Sequence, residues 1–106
     1  MPHLTTHVLD AASGMPAPGI RLVLSTAAGE RVATAETDAD GRAAVGPDRL
    51  PAGDYTLRFE TGGYFAHKRV DTFYPFVDVT FTVVDQRHVH VPLLLSPFAY
   101  STYRGS

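Results

Sequence analysis

The fold is decided by the stretch His88-Val89-His90-Val91-Pro92-Leu93-Leu94-Leu95-Ser96-Pro97, which lies near the end of a chain of 106 residues. Side chains on a β-strand point alternately to opposite faces. One face of this strand is uniformly apolar and is predicted to lie in a core; it carries Val89, Val91, Leu93 and Leu95. The other face begins with two imidazoles and continues with Pro92 and Leu94. A tight turn at Ser96-Pro97 is predicted to lead into a last strand.

The rest of the chain repeats this alternation in short segments. Further strands are predicted at 4–10, 20–26, 31–37, 42–45, 54–61 and 76–85, with turn-rich connections between them. Residues 62–70 break the alternation and are predicted to form a short helix. Eight short strands with turns at short intervals are typical of an antiparallel β-sandwich, so the predicted fold class is all-β.

Composition limits the function further. A chain of 106 residues is expected to form one domain, residues 1–106. The net charge is −2 and the basic residues are scattered, so we expect neither nucleic acid nor a membrane as a partner. The absence of cysteine excludes disulfides and thiolate chemistry. The first residues lack the basic and apolar regions of a signal peptide, which predicts a cytoplasmic protein.

Three histidines are candidates for chemistry. His88 and His90 form a His-x-His pair that suits a metal ion, a catalytic base or no function at all. A metal would need a third ligand from elsewhere, for example His7. His7 lies in the middle of the first strand, where a histidine is often merely half-exposed on a sheet. A pair is too few for a zinc site, so no metal is predicted.

Two polar segments are further candidates. Asp38-Ala39-Asp40-Gly41 resembles the opening of a calcium loop, but Pro47 occupies the position of the required glutamate, so a turn is predicted. Arg42 follows at a loop-to-strand junction, where a guanidinium can reach an anionic or carbonyl oxygen. Residues 103–106 are predicted to be held rather than frayed. The chain has no Gly-x-Ser-x-Gly elbow, so a hydrolase built from these parts would activate water directly.

Four motifs together closely resemble the 5-hydroxyisourate hydrolases, the transthyretin-like proteins of purine degradation. They are Thr6-His7-Val8-Leu9-Asp10, Asp40-Gly41-Arg42, residues 88–97 and Tyr103-Arg104-Gly105-Ser106, and the resemblance runs from about Leu4 to Ser106. It implies a transthyretin-like (prealbumin-like) sandwich of two four-stranded sheets with one short helix. It also implies a homotetramer, a dimer of dimers, with active sites at the dimer–dimer interface.

The resemblance assigns roles as well. It implies His7, Arg42 and His90 as catalytic residues and no cofactor. The substrate would be bound by His7, Arg42, Tyr103, Arg104, Gly105 and Ser106. The implied reaction is hydrolysis of a cyclic amide of 5-hydroxyisourate, with one or both of His7 and His90 as general base and then acid. Alternatives are a transthyretin-like carrier of small molecules without catalysis and a structural sandwich domain.

Overall fold

The computed structural model describes residues 2–106; Met1, the first residue of the predicted domain, lies outside the described residues. Strands dominate the chain, and one short helix interrupts them. The elements are β1 (Leu4–Asp10), β2 (Met15–Pro16), β3 (Arg21–Thr26), β4 (Arg31–Glu36), β5 (Arg42–Val45), β6 (Gly53–Phe59), α1 (Thr61–His67), β7 (Val77–Val83), β8 (Val89–Ser96) and β9 (Ala99–Thr102). No helix within residues 2–106 has the length and apolarity needed to cross a bilayer.

The strands form two sheets, as predicted for a sandwich. The second sheet has four strands in the order β4-β3-β6-β7. The first has the order β2-β1-β8-β9, and β5 also pairs with β1. It therefore has five strands rather than the expected four. The extra strand is the two-residue β2, which pairs with the end of β1 beyond the part that β5 covers.

One strand pair departs from the antiparallel arrangement. β1 and β8 run parallel, from Leu4 opposite Val89 to Asp10 opposite Leu95. This pairing joins segments more than 80 residues apart in the sequence and makes them the centre of the first sheet. His7 lies on β1 and His90 on β8, and His88 immediately precedes β8.

The core lies between the sheets and confirms the predicted faces of β8. Val89, Val91, Leu93 and Leu95 are all buried, as are Leu4 and Val8 of β1. The second sheet contributes large apolar side chains to the same core, among them Leu22, Leu24, Leu57 and Phe59. Each such side chain stabilises the fold by roughly 1.5–3 kcal/mol when fully buried. Burial on this scale fixes which face of β1 and β8 points outward.

The short helix begins one residue before the predicted segment and ends three residues before its end. Phe65 of the helix is buried in the core, and Asp10 at the end of β1 attaches the helix to the first sheet. The Asp10 carboxylate accepts hydrogen bonds from the Tyr64 hydroxyl (2.9 Å) and the Lys68 ammonium (3.3 Å). Its other oxygen accepts from the backbone N–H groups of Ala12 and Ser13. Asp10 thus ties the helix and the following turn to the strand that carries His7.

Candidate active site

The outward face of the first sheet brings together the three predicted catalytic residues. His7 on β1 lies directly opposite Arg42 on β5. On the other side of β1, Thr5 lies opposite His90 and His7 opposite Pro92 of β8. Residues in register on neighbouring strands project to the same face. His7, Arg42 and His90 therefore share one surface on three adjacent strands.

The turn before β5 sets the position of Arg42. One carboxylate oxygen of Asp38 accepts hydrogen bonds from the backbone N–H groups of Asp40 (2.9 Å) and Arg42 (3.0 Å). Gly41 adopts a φ of +74°, which favours glycine, and its carbonyl accepts a bond from the Val8 N–H at 2.8 Å. The predicted turn is confirmed, and it starts β5 at Arg42.

The same turn holds the ring of His7. The Nε2 atom of His7 lies 3.0 Å from the carbonyl oxygen of Asp40. Because a carbonyl can only accept, Nε2 carries the proton and donates it to this bond. In the neutral ring, Nδ1 then keeps a free lone pair.

His90 is half-buried and has a fixed partner. Its Nδ1 lies 2.8 Å from the hydroxyl oxygen of Thr5, which also lies 2.7 Å from Nε2 of His88. Burial lowers the pKa of His90, and electrostatic interactions with His88, Arg42 and His7 lower it further, while a hydrogen bond with the Thr5 backbone acts in the opposite sense. His90 is therefore neutral at pH 7, which is the state that a general base requires.

The chain end is held against His90. The N–H of Gly105 donates to the carbonyl oxygen of His90 at 2.9 Å, and the two residues form an isolated β-bridge. A Cβ atom at position 105 would overlap the His90 ring, 3.0 Å from its Cγ. This confirms that the tail does not fray. Tyr103 lies after the end of β9 and is 59% exposed.

Two hollows meet at His90 and are lined by most of the predicted residues, whereas His7 and Gly105 line neither. The first, of about 410 Å³, is lined by His90 together with Thr5, Arg42, His88 and Ser106. The second, of about 250 Å³, is lined by His90, Tyr103 and Arg104 and by apolar side chains such as Phe81. The structure thus places Arg42 and Ser106 on one hollow with His90, and Tyr103 and Arg104 on the other.

Arg42 is exposed, and its guanidinium makes no hydrogen bond or ion pair to any residue within 2–106. Five donors in a fixed fork are therefore available to a flat acceptor-rich molecule in the first hollow.

A much larger hollow, of about 1130 Å³, lies elsewhere, between α1 and strands β3 and β4. None of the predicted site residues lines it, so size alone does not identify the site.

Thr5 is a site residue that the sequence did not single out. Its only signal there is that it shares a strand face with His7; its contact with two histidines depends on the pairing of β1 with β8.

The possibility of a metal site can be compared with the positions of the potential ligands. Among residues 2–106, no group of three or more histidine, aspartate or glutamate side chains is placed to hold a metal ion.

Comparisons with known proteins agree with this geometry. The profile of the HIUase/Transthyretin family matches residues 4–105. A 5-hydroxyisourate hydrolase of Salmonella dublin is 46% identical over 109 residues, which cover 97% of this chain and 80% of that protein. The solved structure of Klebsiella pneumoniae 5-hydroxyisourate hydrolase superposes with a TM-score of 0.92 at 40% identity and full coverage of both chains. Sea bream transthyretin in complex with thyroxine superposes with a TM-score of 0.88 at 34% identity and covers 97% of this chain and 94% of its own.

Proposed function

The chain belongs to the HIUase/transthyretin family, and from that premise we propose that it is a hydrolase acting on 5-hydroxyisourate in urate degradation. The product is 2-oxo-4-hydroxy-4-carboxy-5-ureidoimidazoline, formed when water opens a cyclic amide. The observation that carries this proposal is the meeting of a neutral, half-buried His90 and an unpaired guanidinium at one hollow. That pair supplies a base and an electrostatic anchor within one small site.

His90 is the general base in this proposal. A water molecule attacks the amide carbonyl while its proton passes to the imidazole, and the leaving nitrogen later takes the proton back. Such proton transfer contributes roughly 10²–10⁴-fold. The burial that lowers the pKa of His90 supports this role, because it keeps the ring unprotonated at neutral pH.

Arg42 binds the substrate and stabilises the developing oxyanion. Preorganised donors at the point where charge develops are commonly the largest single contribution to catalysis. His7, opposite Arg42 and fixed by the Asp40 carbonyl, completes this side of the site with a second imidazole.

The tail contributes Ser106 to the first hollow and Tyr103 and Arg104 to the second. In our proposal these groups and Gly105 orient the substrate and close the site over it. Deletion of residues 103–106 is expected to leave a folded protein with turnover reduced at least tenfold. Full turnover by the truncated protein would remove the tail from the site.

The assembly is a homotetramer, a dimer of dimers, in this proposal. Two observations support it: β9 and β7 are both edge strands, and the outer face of the first sheet carries apolar side chains beside the histidines, with Leu94 36% exposed. Unpaired edges and exposed apolar patches are typical contact surfaces. Sedimentation equilibrium at micromolar concentration should give four chains; a monomer would contradict the assembly. A cytoplasmic location stays a prediction.

A carrier without catalysis is the second candidate, because a thyroxine-bound transthyretin shares the fold at 34% identity. The two functions differ in one measurement. 5-Hydroxyisourate is generated in situ from urate with urate oxidase, and its ultraviolet absorbance is followed with and without the protein. The enzyme accelerates the decay catalytically, whereas a carrier changes it at most in proportion to the amount of protein.

The decisive variant is His90→Asn, which keeps a polar side chain of similar size. It is expected to return the decay to near its spontaneous rate. His67→Asn, on the last turn of α1, is the matched control and should leave turnover unchanged, because His67 lies away from both hollows. Near-wild-type turnover in His90→Asn would contradict the assignment of His90 as the general base.

A further inference from the structure

A continuous chain of hydrogen bonds runs from the start of the protein to His90. The carbonyl oxygen of Pro2 lies 3.3 Å from Nδ1 of His88. Nε2 of His88 lies 2.7 Å from the Thr5 hydroxyl oxygen, and that oxygen lies 2.8 Å from Nδ1 of His90. The hydrogen-bonded groups come from the two ends of the sequence, which the parallel pairing of β1 and β8 brings together.

The chemistry of the groups fixes the direction of this chain. A carbonyl oxygen only accepts, so Nδ1 of His88 is the donor to Pro2. In a neutral ring, Nε2 of His88 then has no proton and must accept from the Thr5 hydroxyl. A hydroxyl has one proton to donate. Thr5 therefore has only a lone pair left for His90, and Nδ1 of His90 must supply the proton of the last bond.

We propose that Thr5 and His88 are positioning residues that hold His90 in the tautomer with its proton on Nδ1, so that Nε2 keeps the lone pair that acts as the base. The role of this lone pair in hydrolysis rests on the proposed function; the tautomer itself does not. Neither residue needs to touch the substrate. Each acts through the next group in the chain.

The proton steps balance in this arrangement. Nε2 of His90 takes one proton from the attacking water as the oxygen bonds to the amide carbon, and His90 becomes an imidazolium with Nδ1–H still bonded to Thr5. The C–N bond then breaks, and the same Nε2–H proton passes to the leaving nitrogen. The ring returns to its starting tautomer without any rearrangement of Thr5 or His88. With the opposite tautomer, Nε2 would begin with a proton and could not accept one.

Hydrogen-bond partners also fix the tautomers of His7 and His3, but in these two rings the partners are backbone groups. His7 donates from Nε2 to Asp40 and leaves Nδ1 free. His3 is buried; its Nδ1 accepts from the Leu50 N–H, and its Nε2 donates to the Arg87 carbonyl, so neither nitrogen is free. Of these rings, only His90 has its tautomer set by a side-chain hydroxyl, which a single substitution can remove.

The test uses three variants of the full-length chain. Thr5→Val removes the hydroxyl and keeps the branched shape that a strand favours. Thr5→Ser is the matched control, because it keeps the hydroxyl. His88→Ala removes the acceptor of the Thr5 proton at an exposed position and frees that proton to be donated to Nδ1 of His90. It gives a second test should Thr5→Val fail to fold.

The first readout is the imidazole ¹⁵N spectrum of the substrate-free protein at about pH 8.5, where histidines of ordinary pKa are neutral. Signals of His90 are assigned by their loss in His90→Asn. Wild type and Thr5→Ser should show a protonated Nδ1, whereas Thr5→Val and His88→Ala should lose this pattern. A wild-type His90 protonated on Nε2, or an unchanged pattern in both Thr5→Val and His88→Ala, would overturn the proposal.

The second readout is hydrolysis of 5-hydroxyisourate. Thr5→Val should lower kcat by about 10- to 100-fold, a part of the ~10²–10⁴-fold that a positioned base supplies, with KM changed less than kcat. Thr5→Ser should stay within a few-fold of wild type. A rise in KM with unchanged kcat would contradict a positioning role. A wild type that shows the Nδ1–H tautomer but no hydrolysis would refute the proposed function and leave the tautomer assignment standing.

Discussion

Gly105 and His90 are packed so closely that position 105 has no room for a side chain. The backbone N–H of Gly105 donates to the His90 carbonyl, and an added Cβ would overlap the imidazole ring. A glycine in the tail therefore determines where the candidate base can lie.

Gly105→Ala is expected to reduce turnover by at least tenfold, because either the ring or the tail must move. Stability should change little, since the bridge lies at the edge of the sheet. Gly63→Ala is the control: a Cβ there meets no atom within 4 Å, and alanine favours the helix by about 1 kcal/mol. Equal turnover in both variants would show that the contact with His90 has no catalytic consequence.

The pH dependence of kcat/KM should reflect the environment of His90. Burial and then electrostatic interactions with His88, Arg42 and His7 lower its pKa below 6.5, so the ring stays neutral to a lower pH than a free histidine. Activity should therefore be full at neutral pH and fall as the pH drops through a midpoint below 6.5. A pH–rate profile of the wild type tests this, and a midpoint above 6.5 would contradict the assignment of the acid limb to His90.

Gly41→Ala should destabilise the fold. The φ of +74° makes any side chain strained, at roughly 1–3 kcal/mol, and the new Cβ would also collide with the backbone of Val8 and of Ala17. Gly29→Ala has a similar positive φ but open space around the Cβ. Urea denaturation of the two variants separates the loss of stability caused by the strained φ from the loss caused by the collision of the Cβ atom. Equal losses of stability would mean that the turn relaxes away from β1.

Asp10→Ala should lower the free energy of unfolding by roughly 2–3 kcal/mol, because it removes a buried charged acceptor that the N–H groups of Ala12 and Ser13 and the Tyr64 hydroxyl share. For a domain of this size, that corresponds to a fall in Tm of roughly 10–20 °C. Asp78→Ala breaks an exposed ion pair with Arg58 and is the control, expected to cost less than about 1 kcal/mol. Thermal denaturation compares the two.

Asp10 should also contribute to acid unfolding. Burial acts to raise the pKa of Asp10, but hydrogen bonds from Tyr64, Ser13 and Lys68 together lower it below 3.8. A carboxyl whose pKa is depressed in the folded state stabilises the protein above its unfolded pKa, and this contribution is lost as the pH falls through the folded value. The stability difference between wild type and Asp10→Ala should therefore shrink below about pH 4. A difference independent of pH would contradict a charged Asp10.

Local patterns predicted the parts of the fold that depend on neighbours in the sequence. Alternation gave the two faces of β8, and the Asp38–Gly41 turn followed from residue types that satisfy their own backbone. The parallel partner of β8 could not be predicted this way, because no local pattern relates Leu4 to Val89. The two-residue β2 was missed for the same reason: it exists only because β5 leaves the end of β1 uncovered.

Local patterns predicted only part of the candidate site as well. Motifs identified His7, Arg42 and His90, and the strand pairing places them on one face. The position of Thr5 between His88 and His90 required the register of β1 against β8. The tail was expected to join the same group, yet Tyr103 lies past the end of β9 and lines a separate hollow with His90.

The parallel pairing of β1 with β8 has a consequence for the order of folding. The site exists only where residues 4–7 meet residues 88–90, so the chain between them must first close a loop of about 80 residues, an entropic cost that grows with loop length. Antiparallel hairpins such as β3–β4 close far shorter loops and can form early. Recovery of turnover during refolding should consequently be among the last signals to appear. An activity assay on this protein thus measures completed folding of both ends of the chain, and not merely the presence of a compact sandwich.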